Sequence, residues 1–360
     1  MRARNALVKV VLGVLGLGLG LILTEATLRV LDPPIEVHNP LHGFHVGDPW
    51  LGWRGKPNVK LRFHQAEFDV LVESTAEGFR RPDPEPPGDA ALRLLFLGDS
   101  FTWGWGVPQG HVFTDWLQRA VAPALAIDNR GVNAYGTAQE YLLLRQELER
   151  RRYARVAVVF YANDVRDNVD RKPHRPYFEI VDGALVARNL PAPAELQSAF
   201  DTFVEEHSRA YLFFNHRLAL LKRLLPGGES EEADDPTPVD ASGHADYTAL
   251  PGYPVTARLL IEMRELCRKH GAELYLVYVP SRSELASQPS HEAFARAVHE
   301  MIEVVARDQA LPLIDLTPRF YAGTRQGAEL VYRHDEHWNM AGHRLAAEVL
   351  LASPLFAGLR

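Results

Sequence analysis

The sequence predicts an α/β fold built on a parallel sheet, and its alternation of two kinds of segment carries that prediction. Short apolar runs (Leu92–Leu97, Leu125–Asp128, Val156–Tyr161, Glu273–Val279 and Pro312–Leu316) alternate with longer amphipathic stretches (Val112–Val121, Thr137–Arg151, Val255–His270 and His291–Gln309). Runs with little polar alternation are buried on both faces, as strands of a parallel sheet are. Right-handed crossovers then put helices on both sides, which gives three layers. A further observation, an apolar stretch near the N-terminus, sets a membrane-spanning helix ahead of this core.

Taken in order, the elements justify themselves as follows. Arg2, Arg4 and Lys9 open a stretch whose apolar part, Ala6–Leu23, makes about 27 Å of helix, close to the hydrocarbon thickness of a bilayer. Lys9 lies near one end, where its charge can reach the interface. The basic start directs the N-terminus to the cytoplasm and the remainder outward. Leu23-Thr24-Glu25-Ala26 is a poor cleavage site, so residues 1–33 are expected to stay as a single-pass signal-anchor in the cytoplasmic (inner) membrane. Residues 34–90 read as a short β-rich lead segment, with Phe68, Val70 and Val72 on one face and a stiff, Pro-rich linker at Pro82–Pro87. Residues 91–360 hold the alternating core, interrupted by an insertion at about 166–253. Within the insertion, Phe178–Val186 reads as a hairpin turning at Asp182-Gly183, Leu196–Leu225 as helical, and Gly227–Ser242 as an acidic loop.

Composition narrows the function. A net charge of −7 argues against a nucleic-acid partner. The single cysteine, Cys267, excludes an internal disulfide.

The chemistry concentrates where strands end. Gly98-Asp99-Ser100-Phe101 follows the first apolar run, so Ser100 stands at the carboxyl mouth of a strand, where open α/β sheets bind ligands. The helix that follows favours developing negative charge at its start. A plainer reading of the tripeptide is a turn in which Asp99 and Ser100 cap backbone amides. A nucleophilic serine needs a base, an acid to orient that base, and donors for the oxyanion. Asp335 and His337 are two residues apart, so an extended segment carries both side chains on one side. Asn163, at the end of another strand, offers a neutral NH₂, and the junction Ile127–Gly136 offers backbone amides. Asp99 and Asp164 suit loop bracing. The spacing of His334, Asp335, His337 and His343 matches no zinc pattern, so no metal and no cofactor is expected. His343 reads as a helix-face residue and Glu336 as a solvated neighbour.

Gly98-Asp99-Ser100-Phe101, the Gly131–Gly136 loop, Asn163-Asp164 and Asp335-Glu336-His337 resemble, in order, the four blocks of the SGNH/GDSL hydrolase superfamily. The resemblance spans about Leu92 to Leu351 and implies a three-layer flavodoxin-like fold. It implies Ser100 as nucleophile, His337 as base and Asp335 as its partner. It also implies an oxyanion hole from the Ser100 amide, a second-block amide and the Asn163 side chain. There are two departures. The second-block glycine falls at Ala134, and alanine accommodates positive φ poorly, which leaves Gly131 or Gly136 as alternative sources of the amide. In the third block Tyr161 stands where the pattern has glycine, and strand-end packing is its expected role. The anchor and the Asp-x-His-Trp-Asn arrangement are similar to the membrane-anchored polysaccharide O-acetyltransferase and esterase branch, which includes proteins of alginate acetylation.

The implied activity is a serine-dependent acyl-ester hydrolase or O-acyltransferase acting through acyl-Ser100 on an extracytoplasmic substrate, an acetylated polysaccharide. A transferase would draw its acyl group from a membrane partner and meet its acceptor on the insertion, through Tyr177, Phe178 and Tyr211. The alternatives are an esterase for lipids or small esters, and a non-catalytic polysaccharide-binding assembly component.

Overall fold

The computed structural model describes residues 2–31, 43–65, 67–88, 90–193, 246–286 and 289–359, with a few positions between 204 and 218. Helix α1 (Arg2–Leu31) contains the apolar window Val11–Leu31, 21 residues with mean hydropathy 1.9. That is long and apolar enough to cross a membrane or to serve as a signal sequence. The helix belongs to a small unit with the described residues between 204 and 218. There the Glu25 carboxylate accepts hydrogen bonds from Ser208 Oγ and from the amides of Arg209 and Ala210. Most of the expected helix Leu196–Leu225 and all of the acidic loop Gly227–Ser242 lie outside the described residues.

Next along the chain come two antiparallel pairs, β1 (His45–Asp48) with β2 (Gly52–Gly55) and β3 (Lys60–Gln65) with β4 (Phe68–Glu73). The core strands follow: β5 (Leu92–Gly98), β6 (Leu125–Gly131) and β7 (Arg155–Phe160). After the hairpin β8 (Tyr177–Val181) and β9 (Ala184–Arg188) come β10 (Glu273–Tyr278) and β11 (Leu313–Asp315). Five strands form one parallel sheet in the order β11-β10-β7-β5-β6. Because β5 lies between β6 and β7, the chain reverses its direction of winding there. This is the flavodoxin-like order, and its crevice opens beyond the carboxyl ends of β5 and β7.

Alternation along β5 builds the layers. Leu95 and Leu97 pack with apolar residues of α4 (Thr137–Arg150), α6 (Tyr253–Lys269) and α8 (Pro289–Asp308). Leu94 and Phe96 pack on the other face with those of α3 (Phe113–Val121) and α10 (Met340–Leu351). Two short helices flank the crevice, α2 (Ser100–Trp103) and α5 (Asp164–Asp167), and α7 (Arg282–Ala286) lies farther along. Helix α9 (Thr317–Arg325) was not anticipated from periodicity, although Pro318 in its first turn is a start signal. The β8–β9 hairpin turns at Asp182-Gly183 as expected, with φ of 49° and 78°, the signature of a tight turn.

Candidate active site

Strand β5 ends at Gly98, and Asp99 caps the helix that follows: its Oδ1 accepts the Phe101 amide at 2.9 Å. Ser100 opens α2, and Gly104 closes it in the left-handed conformation (φ 87°). Close packing of β6 against this corner depends on Gly131, where a Cβ would run into the backbone of Thr102 and Trp103. The serine therefore projects from a corner fixed by backbone geometry.

The acid and the base come from a downstream loop, His337 lying 237 residues after Ser100. An isolated bridge between Val331 and Trp338, with Tyr332 N donating to His337 O at 3.1 Å, folds residues 332–337 back on themselves. Asp335 Oδ1 lies 2.5 Å from His337 Nδ1 and also accepts the His337 amide at 2.8 Å. His337 Nε2 lies 2.6 Å from Ser100 Oγ. The three side chains thus form one continuous chain of hydrogen bonds, and they are all partly buried.

Three residues that sequence reasoning missed hold this loop. Trp105 Nε1 donates to Asp335 Oδ2 at 3.0 Å while its ring stacks on the imidazole, centroids 4.8 Å apart. Phe63 of β3 backs Trp105 edge-on at 4.9 Å. The Glu67 carboxylate, at the turn between β3 and β4, accepts the amides of Arg333 and His334 at 2.6 and 2.7 Å. Trp105 and Glu67 carry no local signal of this role, since their partners are more than 200 residues away.

The oxyanion candidates divide by which hydrogens are free. The Gly131 amide donates to Asn129 Oδ1 at 2.9 Å and the Gly136 amide to Gln139 Oε1 at 3.4 Å. Among the described residues, the Ser100 and Ala134 amides have no protein acceptor. Ala134 adopts φ 60°, the left-handed conformation that the glycine of the pattern would favour. An alanine held there costs about 1 kcal/mol, and such strain clusters at functional sites. Asn163 follows β7 and turns one Nδ2 hydrogen to Asp167 Oδ2 at 3.3 Å, leaving the other.

Electrostatics favour a basic imidazole. Burial works against the charged ring, but the Asp335 hydrogen bond and charge, with Glu336 and Asp99 adding, hold His337 above the ordinary imidazole value. Burial likewise pushes the Asp335 carboxyl up, and the bonds from His337 and Trp105 bring it below the usual range. Beneath the serine, burial pushes Asp99 up to about 7. Glu140, also fully enclosed, is raised further by burial and by the Asp99 charge, and Asp164 by burial and by the charges of Glu140 and Asp99. Asp99 braces its loop through a backbone bond as expected, whereas Asp164 accepts from a side chain, Thr137 Oγ1, at 3.2 Å.

Other candidates take different roles. His343 is buried in the core, accepts the Phe113 amide on Nδ1 at 3.3 Å, and is lowered to about 3, chiefly by burial. His334 points to solvent. Among the described residues, no group of His, Cys, Asp or Glu side chains is arranged to hold a metal ion. Phe178 is buried against Tyr141, so it presents no acceptor-binding face. Asp315, a further acid at a strand end (β11), is committed to His299, 3.3 Å away, and to the Thr317 amide.

Comparison with known proteins supplies the remaining context. No curated protein matches the chain. Among solved structures, it is similar to a member of the lipolytic protein G-D-S-L family from Veillonella parvula: 13% identity, 74% of this chain and 99% of that one covered, TM-score 0.41. It is also similar to the acetyl xylan esterase AlAXEase (12%, 72% and 98% covered, TM-score 0.43). A third similar structure is the psychrotrophic esterase EstA from Pseudoalteromonas (12%, 72% and 95% covered, TM-score 0.40). The profile of the GDSL-like lipase/acylhydrolase family matches residues 96–345, from the strand before Ser100 to the helix after His337. With well over half of its length inside that profile, the chain belongs to the GDSL-like lipase/acylhydrolase family.

Proposed function

We propose that the protein is a serine-dependent acyl-ester hydrolase or O-acyltransferase that acts through an acyl-Ser100 intermediate on an extracytoplasmic, acetylated polysaccharide. The observation that carries the chemistry is the unbroken chain from Ser100 Oγ through His337 to Asp335, at 2.6 and 2.5 Å. His337 Nε2 takes the serine proton as Oγ attacks the ester carbonyl, and returns it to the departing alkoxide. Asp335 fixes the tautomer and stabilises the imidazolium, and Trp105 fixes Asp335. The developing oxyanion meets the amides of Ser100 and Ala134 and the free Nδ2 hydrogen of Asn163. In the second half-reaction, His337 deprotonates water or a sugar hydroxyl, which attacks acyl-Ser100 and regenerates the serine.

Residues 1–33 act as the anchor in this reading, residues 34–90 as the lead segment, and residues 91–360 as the hydrolase domain. The apolar window of α1 and the basic residues before it support an inner-membrane anchor with the hydrolase domain outside the cytoplasm. Outside the cytoplasm, transfer requires a donor delivered by a membrane partner, whereas hydrolysis requires none. A fluorophosphonate probe is expected to label wild-type protein and not Ser100→Ala. A label elsewhere, or none, sinks the acyl-serine mechanism. Mass spectrometry of products from an activated acetyl donor and oligosaccharide acceptors then separates the two outcomes, acetylated sugar for a transferase and free acetate alone for a hydrolase. Retention of the full chain in membranes through carbonate extraction tests the anchor, and release of a shortened chain would show a cleaved signal.

A further inference from the structure

Tyr161 occupies a position where the family pattern has glycine, and it does more than fill the end of β7. Its ring is almost fully buried against Phe101, centroids 4.6 Å apart, and Phe101 in turn lies 4.9 Å from the imidazole of His337. Its hydroxyl donates to Glu336 Oε2 at 2.5 Å, across 175 residues of sequence. Glu336 sits between Asp335 and His337, and Tyr161 lies two residues before Asn163. The bond therefore ties the loop of the acid and base to the strand end that presents the oxyanion donor.

We propose that Tyr161 is a positioning residue, and that through Glu336 it fixes His337 relative to Asn163. The inference rests on the reading of Ser100, His337 and Asn163 given above. Its physical basis is that nucleophile, base and oxyanion donors must hold one geometry while charge develops, and they arrive on three separate segments. Ser100 comes from β5, Asn163 from β7 and His337 from the downstream loop. The chain of hydrogen bonds joins the loop to the end of β5, and among the described residues the Tyr161–Glu336 bond is the hydrogen bond that joins it to the end of β7. A phenol bonded to a carboxylate is short and directional, so it fixes distance in a way that ring packing cannot. Burial and the adjacent Glu336 carboxylate keep the phenol protonated, since both push its titration well above the ordinary tyrosine value. The carboxylate has a second effect. The charged groups facing His337 are Asp335 and Glu336 on its own loop and Asp99 before α2, and all three favour the imidazolium. Core His343, on α10, is neutral and adds no charge.

The test compares Tyr161→Phe, Glu336→Gln and the double variant, in full-length protein, with p-nitrophenyl acetate as substrate. Tyr161→Phe keeps the ring and removes only the bond, so kcat is expected to fall about ten-fold with a smaller change in KM, as small misplacements do. Glu336→Gln is expected to fall similarly, and the double variant no further than the worse single, because both break one contact. The pH profile separates the partners. Glu336→Gln removes a charge that stabilises the imidazolium, so the acid limb of kcat moves to lower pH. Tyr161→Phe leaves that charge in place, so kcat drops without the limb moving down. Wild-type kcat in Tyr161→Phe, with the acid limb of Glu336→Gln unmoved, would overturn the proposal and leave Tyr161 as packing. Substantial turnover by Ser100→Ala would instead overturn the catalytic reading beneath it, so the two failures are distinguishable.

Discussion

Two histidines of this protein each face a carboxylate, and they differ at the second ring nitrogen. His337 presents Nδ1 to Asp335 and Nε2 to a serine hydroxyl. His299, on α8, presents Nδ1 to Glu284 at 3.1 Å and has Nε2 3.3 Å from Asp315 Oδ2, with its face stacked on Tyr278. Burial opposes its charge, but the bonds and charges of both carboxylates raise it to about 10. An imidazole held between two anions is a permanent cation near neutral pH and has no nitrogen with which to take a proton. An imidazole between one anion and one hydroxyl can cycle. The carboxylate alone does not make a histidine a base. The partner on the other nitrogen decides whether the ring works or clamps.

The comparison breaks most visibly if the wrong histidine is removed. Ser100→Ala and His337→Ala are each expected to lower kcat for an activated ester by about 10⁴–10⁶-fold, with the double variant no worse, since the groups act as a unit. Loss on that scale from His299→Gln would mean that the doubly paired ring is the base.

The two acids sharpen the contrast at a smaller scale. Asp335→Asn is expected to reduce kcat by about 10²–10⁴-fold through loss of the correct tautomer. Asp315→Asn, whose partner is the clamp histidine, is expected to stay within a few-fold of wild type. Reversal of those two results would transfer the role of orienting acid to Asp315. Smaller again is Trp105→Phe, which keeps a ring on His337 but removes the donor to Asp335. About a ten-fold fall in kcat is expected, the order of one hydrogen bond to a charged group, and wild-type kcat would reduce Trp105 to packing.

Much of this arrangement was legible in the chain, for reasons that vary by element. Four of the five sheet strands, β5, β6, β7 and β10, were visible because they are buried on both faces and lack the alternation of a surface strand, whereas the edge strand β11 is only partly buried. Ser100, Asn163, Asp335 and His337 were visible because each stands at a strand end or in a short motif. The choice among Gly131, Ala134 and Gly136 was not, because all three amides lie within six residues. It turns on which hydrogen remains free after Asn129 and Gln139 take theirs. Trp105, Glu67 and the Tyr161–Glu336 bond were hidden for a different reason. Their contacts span 230, 266 and 175 residues, and only the winding of the sheet brings those segments together. His299 was equally hidden: as one polar residue in an amphipathic helix it gave no sign of the two carboxylates around it.

The smallest expected effect on activity, and the one that isolates the clamp, belongs to His299→Gln. Turnover is expected within two-fold of wild type, because His299 has no nitrogen available to substrate. Stability should fall by about 1–2 kcal/mol near pH 7, less than a fully buried ion pair because the side chain remains partly exposed. The pH dependence follows from the direction of the shift. In the unfolded chain the imidazole titrates near 6.5, and in the fold it titrates near 10. A raised value of this kind contributes its full stabilisation below the unfolded value, where the ring is charged in both states. That contribution falls through the interval between the two values and is gone once pH passes about 10. The gap in unfolding free energy between wild type and His299→Gln should therefore be widest at pH 6 and narrow steadily toward pH 10. Denaturant unfolding of the full chain at a series of pH values measures the gap directly. If it widened with pH instead, His299 would be stabilised as the neutral ring, and the division between a clamp and a base would have to be redrawn around the neutral form of both histidines.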